Sequence, residues 1–216
     1  MRKPPDYDIS VFINCPYDEE YQPIFDSLVF AVTDLGFKAR CALETRDSGD
    51  VRYGKIVQII SECRYGVHDL CRRDPTEVSG VNYPRFNMPF ELGLFLMAQT
   101  YSKEPVLKKV LPPKSSLILD TEEHTYRIYL SDIGGHDVYA HKNDPTEAIR
   151  QVRTWLKNQT RRSMPGSQVT IDRYKTFLND LPGLRESLRL EPEDVSFTDF
   201  LEMVYGWTGT NLIDLP

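Results

Sequence analysis

The chain has 216 residues, 40% of them apolar and 27% charged, which suits one folded domain with a small addition and excludes both a disordered chain and a multi-domain machine. With 26 basic against 32 acidic residues the net charge is -6, the wrong sign for general nucleic-acid binding. No run of about 18 apolar residues occurs and Met1-Arg2-Lys3-Pro4-Pro5 opens no signal peptide, so a cytoplasmic protein without membrane contact is expected. Cys15, Cys41, Cys63 and Cys71 form no CxxC pair and sit mostly in apolar segments, so free thiols are expected, with no disulfide and no metal.

In chain order, Ile9 to Asn14 reads as a buried strand that enters a loop at Cys15-Pro16-Tyr17-Asp18. Ile24, Leu28, Ala31 and Leu35 recur at helical spacing between Pro23, suited to a first turn, and Gly36, suited to a C-terminal cap. Phe37, Ala39, Cys41 and Leu43 alternate as a second strand, Glu44 to Asp50 is a polar loop, and Ile56, Ile59, Ile60 and Cys63 mark a helix face. Tyr65 to Leu70 suits a third strand. The following segment to Asn87, about 17 residues, reads as a long irregular loop, the kind that usually carries function.

A helix from Met88 to Tyr101, a strand at Ser116 to Leu119, a short helix near Tyr126 to Leu130 and a strand at Asp137 to His141 continue the alternation. The final core helix starts cleanly at Asp144-Pro145-Thr146-Glu147 and runs to Lys157. The same four residues occur at Asp74-Pro75-Thr76-Glu77, in flanks too different for a structural repeat. Strands alternating with helices predict an α/β fold, a flavodoxin-like three-layer arrangement around a parallel five-stranded sheet.

Gln159 to Gln168 has linker composition, dividing a domain of residues 1-158 from a small helical C-terminal appendage of residues 159-216. Ile171, Tyr174, Phe177, Leu178 and Leu181 predict one amphipathic helix, and Phe197, Phe200, Leu201 and Val204 a second behind Ser196 as N-cap with Asp199 at N3. From Asp180 onward eight acids face two bases, and the apolar faces are too small to fold alone, so docking on the core or on a partner subunit is expected.

Ligands of open parallel sheets bind at the carboxyl ends of the strands. There Glu91 is the main candidate: with Asn87 as N-cap it falls at N4, close to the positive helix end, where the dipole favours the anion. Its alternative role is merely to complement that dipole. Asn14 and Tyr17 after the first strand are candidates for a ribose or a base. Asp69 is a candidate for a ribose hydroxyl, or for a cap of its own loop. Arg85 is a candidate partner of a phosphate or of Glu91. Phe86 suits stacking on a base, while Phe90 suits core packing better.

The element order, the opening Ser10-Val11-Phe12-Ile13-Asn14, the polar loop after the second strand and a glutamate starting the helix after the third resemble a Toll/interleukin receptor (TIR) domain of the bacterial immune type. Asn87-Met88-Pro89-Phe90-Glu91-Leu92-Gly93 is also similar to the glutamate motif of nucleoside 2-deoxyribosyltransferases. The TIR resemblance, over Asp8 to Lys157, implies cleavage of the nicotinamide-ribose bond of NAD, taken as a substrate with no cofactor, by Glu91 in an anti-phage effector that self-associates. It also implies a substrate-closing and assembly loop at Arg46, Asp47 and Ser48. Two alternatives stay open, a non-catalytic nucleotide-binding or scaffold module and a deoxyribosyltransferase or nucleosidase in which Glu91 is the nucleophile.

Other signals carry less. Gly49 to Lys55 has P-loop spacing, but Ile56 stands where Ser or Thr must hold magnesium. His68 and Asp69 are strand neighbours pointing to opposite faces, and His124, His136 and His141 lack metal-ligand spacing.

Overall fold

The computed structural model describes residues 3-44, 51-71, 76-78, 81-83 and 86-211. A five-stranded sheet is formed by β1 (Ser10–Asn14), β2 (Lys38–Cys41), β3 (Tyr65–Asp69), β6 (Ser115–Asp120) and β7 (Val138–Ala140), in the order β2-β1-β3-β6-β7. Every pairing in it is parallel. The direction of strand addition reverses at β1, so the crevice of this flavodoxin-like order lies between the carboxyl ends of β1 and β3.

Parity along the strands assigns the layers. Val11, Ile13, Tyr65 and Val67 join α1 (Gln22–Asp34) and α5 (Pro145–Gln159) in one apolar cluster, while Phe12 joins α2 (Arg52–Glu62) and α3 (Asn87–Ser102) in another. All of β1 and β3 is buried, as strands covered by helices on both faces must be. Pro23 occupies the start of α1, and Gly36, at φ +78°, takes the left-handed position just beyond its end. Asp144 caps α5 by accepting the Thr146 amide. In the earlier copy of that tetrapeptide Thr76 and Glu77 belong to a strand, so identical residues serve different structures; Asp74 and Pro75 lie outside the described residues.

Several short elements depart from the expected pattern. The segment expected to be wholly irregular contains β4 (Thr76–Val78) and β5 (Val81–Tyr83), an antiparallel pair of 3 residues each. Runs so short show too little alternation for a periodicity argument to catch. A single-turn helix, α4 (Pro105–Lys108), follows α3, and the short helix near Tyr126 is a pair of 3-10 turns, Thr125–Ile128 and Ser131–Ile133. The four cysteines are free thiols.

Beyond α5 come α6 (Ser167–Leu188) and α7 (Phe197–Thr210), the latter opened by a complete Ser196–Asp199 capping box. Both helices pack on the outside of the α1–α5 layer, and their apolar residues belong to the same cluster as β1 and α1. Phe30 of α1 meets Tyr174, Phe177 and Trp207 at ring-centroid distances of 5.2, 5.2 and 5.8 Å. Arg173 forks onto the Asp34 carboxylate at 2.9 and 2.7 Å, tying α6 to the end of α1. Among the described residues no helix is long and apolar enough to cross a membrane.

Candidate functional site

The first turns of α3 bring chemistry to the β1–β3 crevice. Phe86, with φ -100° and ψ 0°, is the N-cap without a side-chain cap bond, so Asn87 is the first helical residue and Glu91 the fifth. Glu91 therefore sits in the second turn, beyond the strongest reach of the helix dipole. Its inward neighbours at helical spacing are Met88, Leu92 and Phe95, all buried, and Glu91 itself is 4% exposed. A carboxyl thus occupies a position where the face is otherwise apolar.

Burial raises the Glu91 pKa to about 7, and the Arg52 guanidinium, at the start of α2, offsets only part of that rise. The dipole's preference for the anion, expected from the sequence, does not prevail, because desolvation outweighs it. Among the described residues no hydrogen bond reaches its carboxylate. Its charge is felt in the loop after β1, where burial above all, with a smaller contribution from Glu91, pushes up the Cys15 thiol and the Tyr17 phenol.

Asn14, at the end of β1, directs its amide nitrogen to the Met88 carbonyl at 2.9 Å and to His68 Nδ1 at 3.1 Å. Because the Met88 carbonyl only accepts, the amide orientation is determined, and His68 must accept through Nδ1 and carry its proton on Nε2. Asn14 and His68 are register partners on adjacent strands. The His68 ring lies 4.8 Å from Phe95 and 5.9 Å from Phe12, and burial lowers its pKa to about 3. Tyr17 is half-buried, donates its hydroxyl to the Ile13 carbonyl at 3.3 Å and stands edge-on to Phe25.

On the opposite face of β3, Asp69 is fully engaged by the protein. Its Oδ2 accepts the Tyr21 hydroxyl at 2.6 Å and lies 3.0 Å from His141 Nε2, while Oδ1 accepts the Cys71 amide at 2.9 Å. Against the upward push of burial, these partners hold Asp69 below the usual carboxylate range. Asp69, Cys71 and His141 bring ligand-type atoms within 4.8 Å of one another, a proximity that their sequence spacing does not suggest. The Asn143 amide donates to His141 Nδ1 at 3.1 Å, which leaves the ring proton on Nε2, toward Asp69. A metal at Nε2 would have to displace that proton with Nδ1 already an acceptor, so the arrangement fits a hydrogen-bonded cluster better than a ligand set. A cavity of about 340 Å³ opens beside it, between Tyr21, Cys71, Thr121 and Asn143.

Of the residues singled out in the sequence, Asn14, Tyr17, Glu91 and Asn87 gather at this end of the sheet, with Asp69 turned to the other face. Phe86 and Phe90 are exposed, and Phe90 stands 6.2 Å from the exposed ring of Tyr53, so the core-packing expectation for Phe90 is corrected: it lies on the outer side of α3. Arg46, Asp47, Ser48 and Arg85 lie outside the described residues. Arg52 and His68 join the site unforeseen. For Arg52 a signal existed, a base at a helix start that opposes the dipole; His68 had none, because its place opposite Asn14 is set by strand register. No protein-family model matches the chain, and a search of curated proteins finds no match.

Proposed function

We propose that the crevice binds a nucleotide such as NAD and breaks its N-glycosidic bond, with the Glu91 carboxylate as the catalytic group. One observation carries this reading: a carboxyl on the buried face of α3, without a hydrogen bond among the described residues and raised to about 7, is costly to the fold and fits a reaction that develops positive charge. In NAD the bond electrons pass to the nicotinamide nitrogen, which leaves as a neutral base and needs no general acid. The carboxylate stabilises the cation left at C1′, or captures it, until water adds there and loses a proton. The exposed Phe86 ring at the start of α3, and the exposed Tyr53 and Phe90 rings 6.2 Å apart on α2 and α3, support stacking of a planar base at this end of the sheet. The TIR resemblance of the sequence points the same way.

Purified full-length protein incubated with NAD at pH 8 is expected to release nicotinamide, read by liquid chromatography. Release of a nucleobase from deoxynucleosides, with NAD untouched, would instead make this a deoxyribosyltransferase-type site. Release from neither would leave a binding module and overturn the catalytic reading.

A further inference from the structure

Resting on Glu91 as the working group of this crevice, we propose that Asn14 and His68 form a positioning clamp that holds the first turn of α3 and thereby keeps the Glu91 carboxyl in its buried slot. Asn14 is 2% exposed and spends its two amide protons on the Met88 carbonyl at 2.9 Å and His68 Nδ1 at 3.1 Å. Met88 and Glu91 are three residues apart on one helix face, so a hold on the Met88 carbonyl is a hold on the backbone from which Glu91 projects.

His68 shows that the arrangement is not explained by packing alone. The ring is fully buried, and its Nε2 has no hydrogen-bond partner among the described residues. A buried orphan donor is a cost to stability that an aliphatic side chain would avoid. Room for the ring depends on Gly66, where a Cβ would come within 2.6 Å of His68 Nε2 and 2.8 Å of the Phe95 ring. What the imidazole supplies is one neutral acceptor behind Asn14. Its strongly lowered pKa keeps that acceptor available throughout the physiological range. With one amide proton fixed by His68, the other can point only toward α3.

Among the described residues, the titratable groups facing Glu91 are Arg52 from α2 and Cys15 and Tyr17 from the loop after β1; His68, behind Asn14, is neutral. A change in the Glu91 titration on altering Asn14 therefore reports position and solvent access, since Asn14 has no charge of its own.

The test measures Tm against pH from 4.5 to 9 for four full-length forms, with Asn14 or Asn14→Leu, each carrying Glu91 or Glu91→Gln. The gap between the Glu91 form and its Gln partner widens from about pH 4.5 and levels off at the folded-state titration of Glu91, and the pH of that levelling is the midpoint read. The clamp predicts a midpoint near 7 with Asn14 intact and one lower by about a unit or more in the Asn14→Leu background, as water reaches a loosened helix start. A purely structural Asn14 would lower both Tm curves equally and leave the midpoint in place, which overturns the clamp. Should Asn14→Leu fail to fold, His68→Leu replaces it, with a midpoint shift in the same direction expected and an unmoved midpoint contradicting the proposal. None of these readings uses NAD, so they stand even where the glycosidase reading fails. Where NAD is cleaved, Asn14→Leu is also expected to lower kcat about tenfold with little change in KM.

Discussion

Glu91→Gln is expected to slow nicotinamide release on the order of a hundredfold to a thousandfold, the scale of losing one group aimed at developing charge in an enclosed site. The glutamine keeps the shape and removes the charge. The same variant is expected to be more stable than the parent at pH 8. Burial raises Glu91 above its ordinary value, so its contribution to stability is complete below about pH 4.5 and is lost as pH rises through about 7. A difference of that size corresponds to about 3 kcal/mol. Activity and stability therefore move in opposite directions on one substitution, read by chromatography and thermal unfolding. An unchanged rate, with the fold intact, would remove Glu91 from the chemistry.

Phe177→Ala is expected to cost about 3 to 5 kcal/mol and to lower Tm by roughly 10 °C. Phe177 is fully buried, and its ring meets Phe30, Phe200 and Trp207 at 5.2, 5.8 and 5.8 Å, so it joins α1, α6 and α7 at one point. The apolar cluster around it runs without interruption into β1. A single unfolding transition shifted as a whole is the expected trace in calorimetry. A loss confined to a separate, earlier transition would show that α6 and α7 unfold apart from the sheet.

The strongly patterned parts of the chain are legible in the amino-acid sequence alone. Ser10-Val11-Phe12-Ile13-Asn14 could be little other than a buried strand, Pro23 and Gly36 bracket α1, and Ser196 with Asp199 opens α7 through local hydrogen bonds that need no tertiary context. The β4–β5 pair escapes because each strand is 3 residues long, and α4 because one turn has no period. At the site, Glu91 is visible as a carboxylate opening an apolar helix. Its ionisation is not, because the sequence shows the dipole but not the burial of Glu91 among Met88, Leu92 and Phe95 on the covered side of α3. The pairing of Asn14 with His68 depends on strand register across 54 residues, and that of Asp69 with His141 on two crossovers, so neither is a local property.

The role of Glu91 is tested most directly by the pH dependence of kcat/KM for nicotinamide release, measured beside the pH dependence of the stability difference between the parent and Glu91→Gln. Both curves should mark the same midpoint, near 7: activity is lost below it as the carboxylate takes up a proton, while the stability loss, which builds from about pH 4.5, levels off there as ionisation in the folded state is completed. An acidic limb at an ordinary carboxylate value near 4.5, or two midpoints that do not coincide, would contradict the claim that the buried Glu91 carboxyl is the group that drives the reaction.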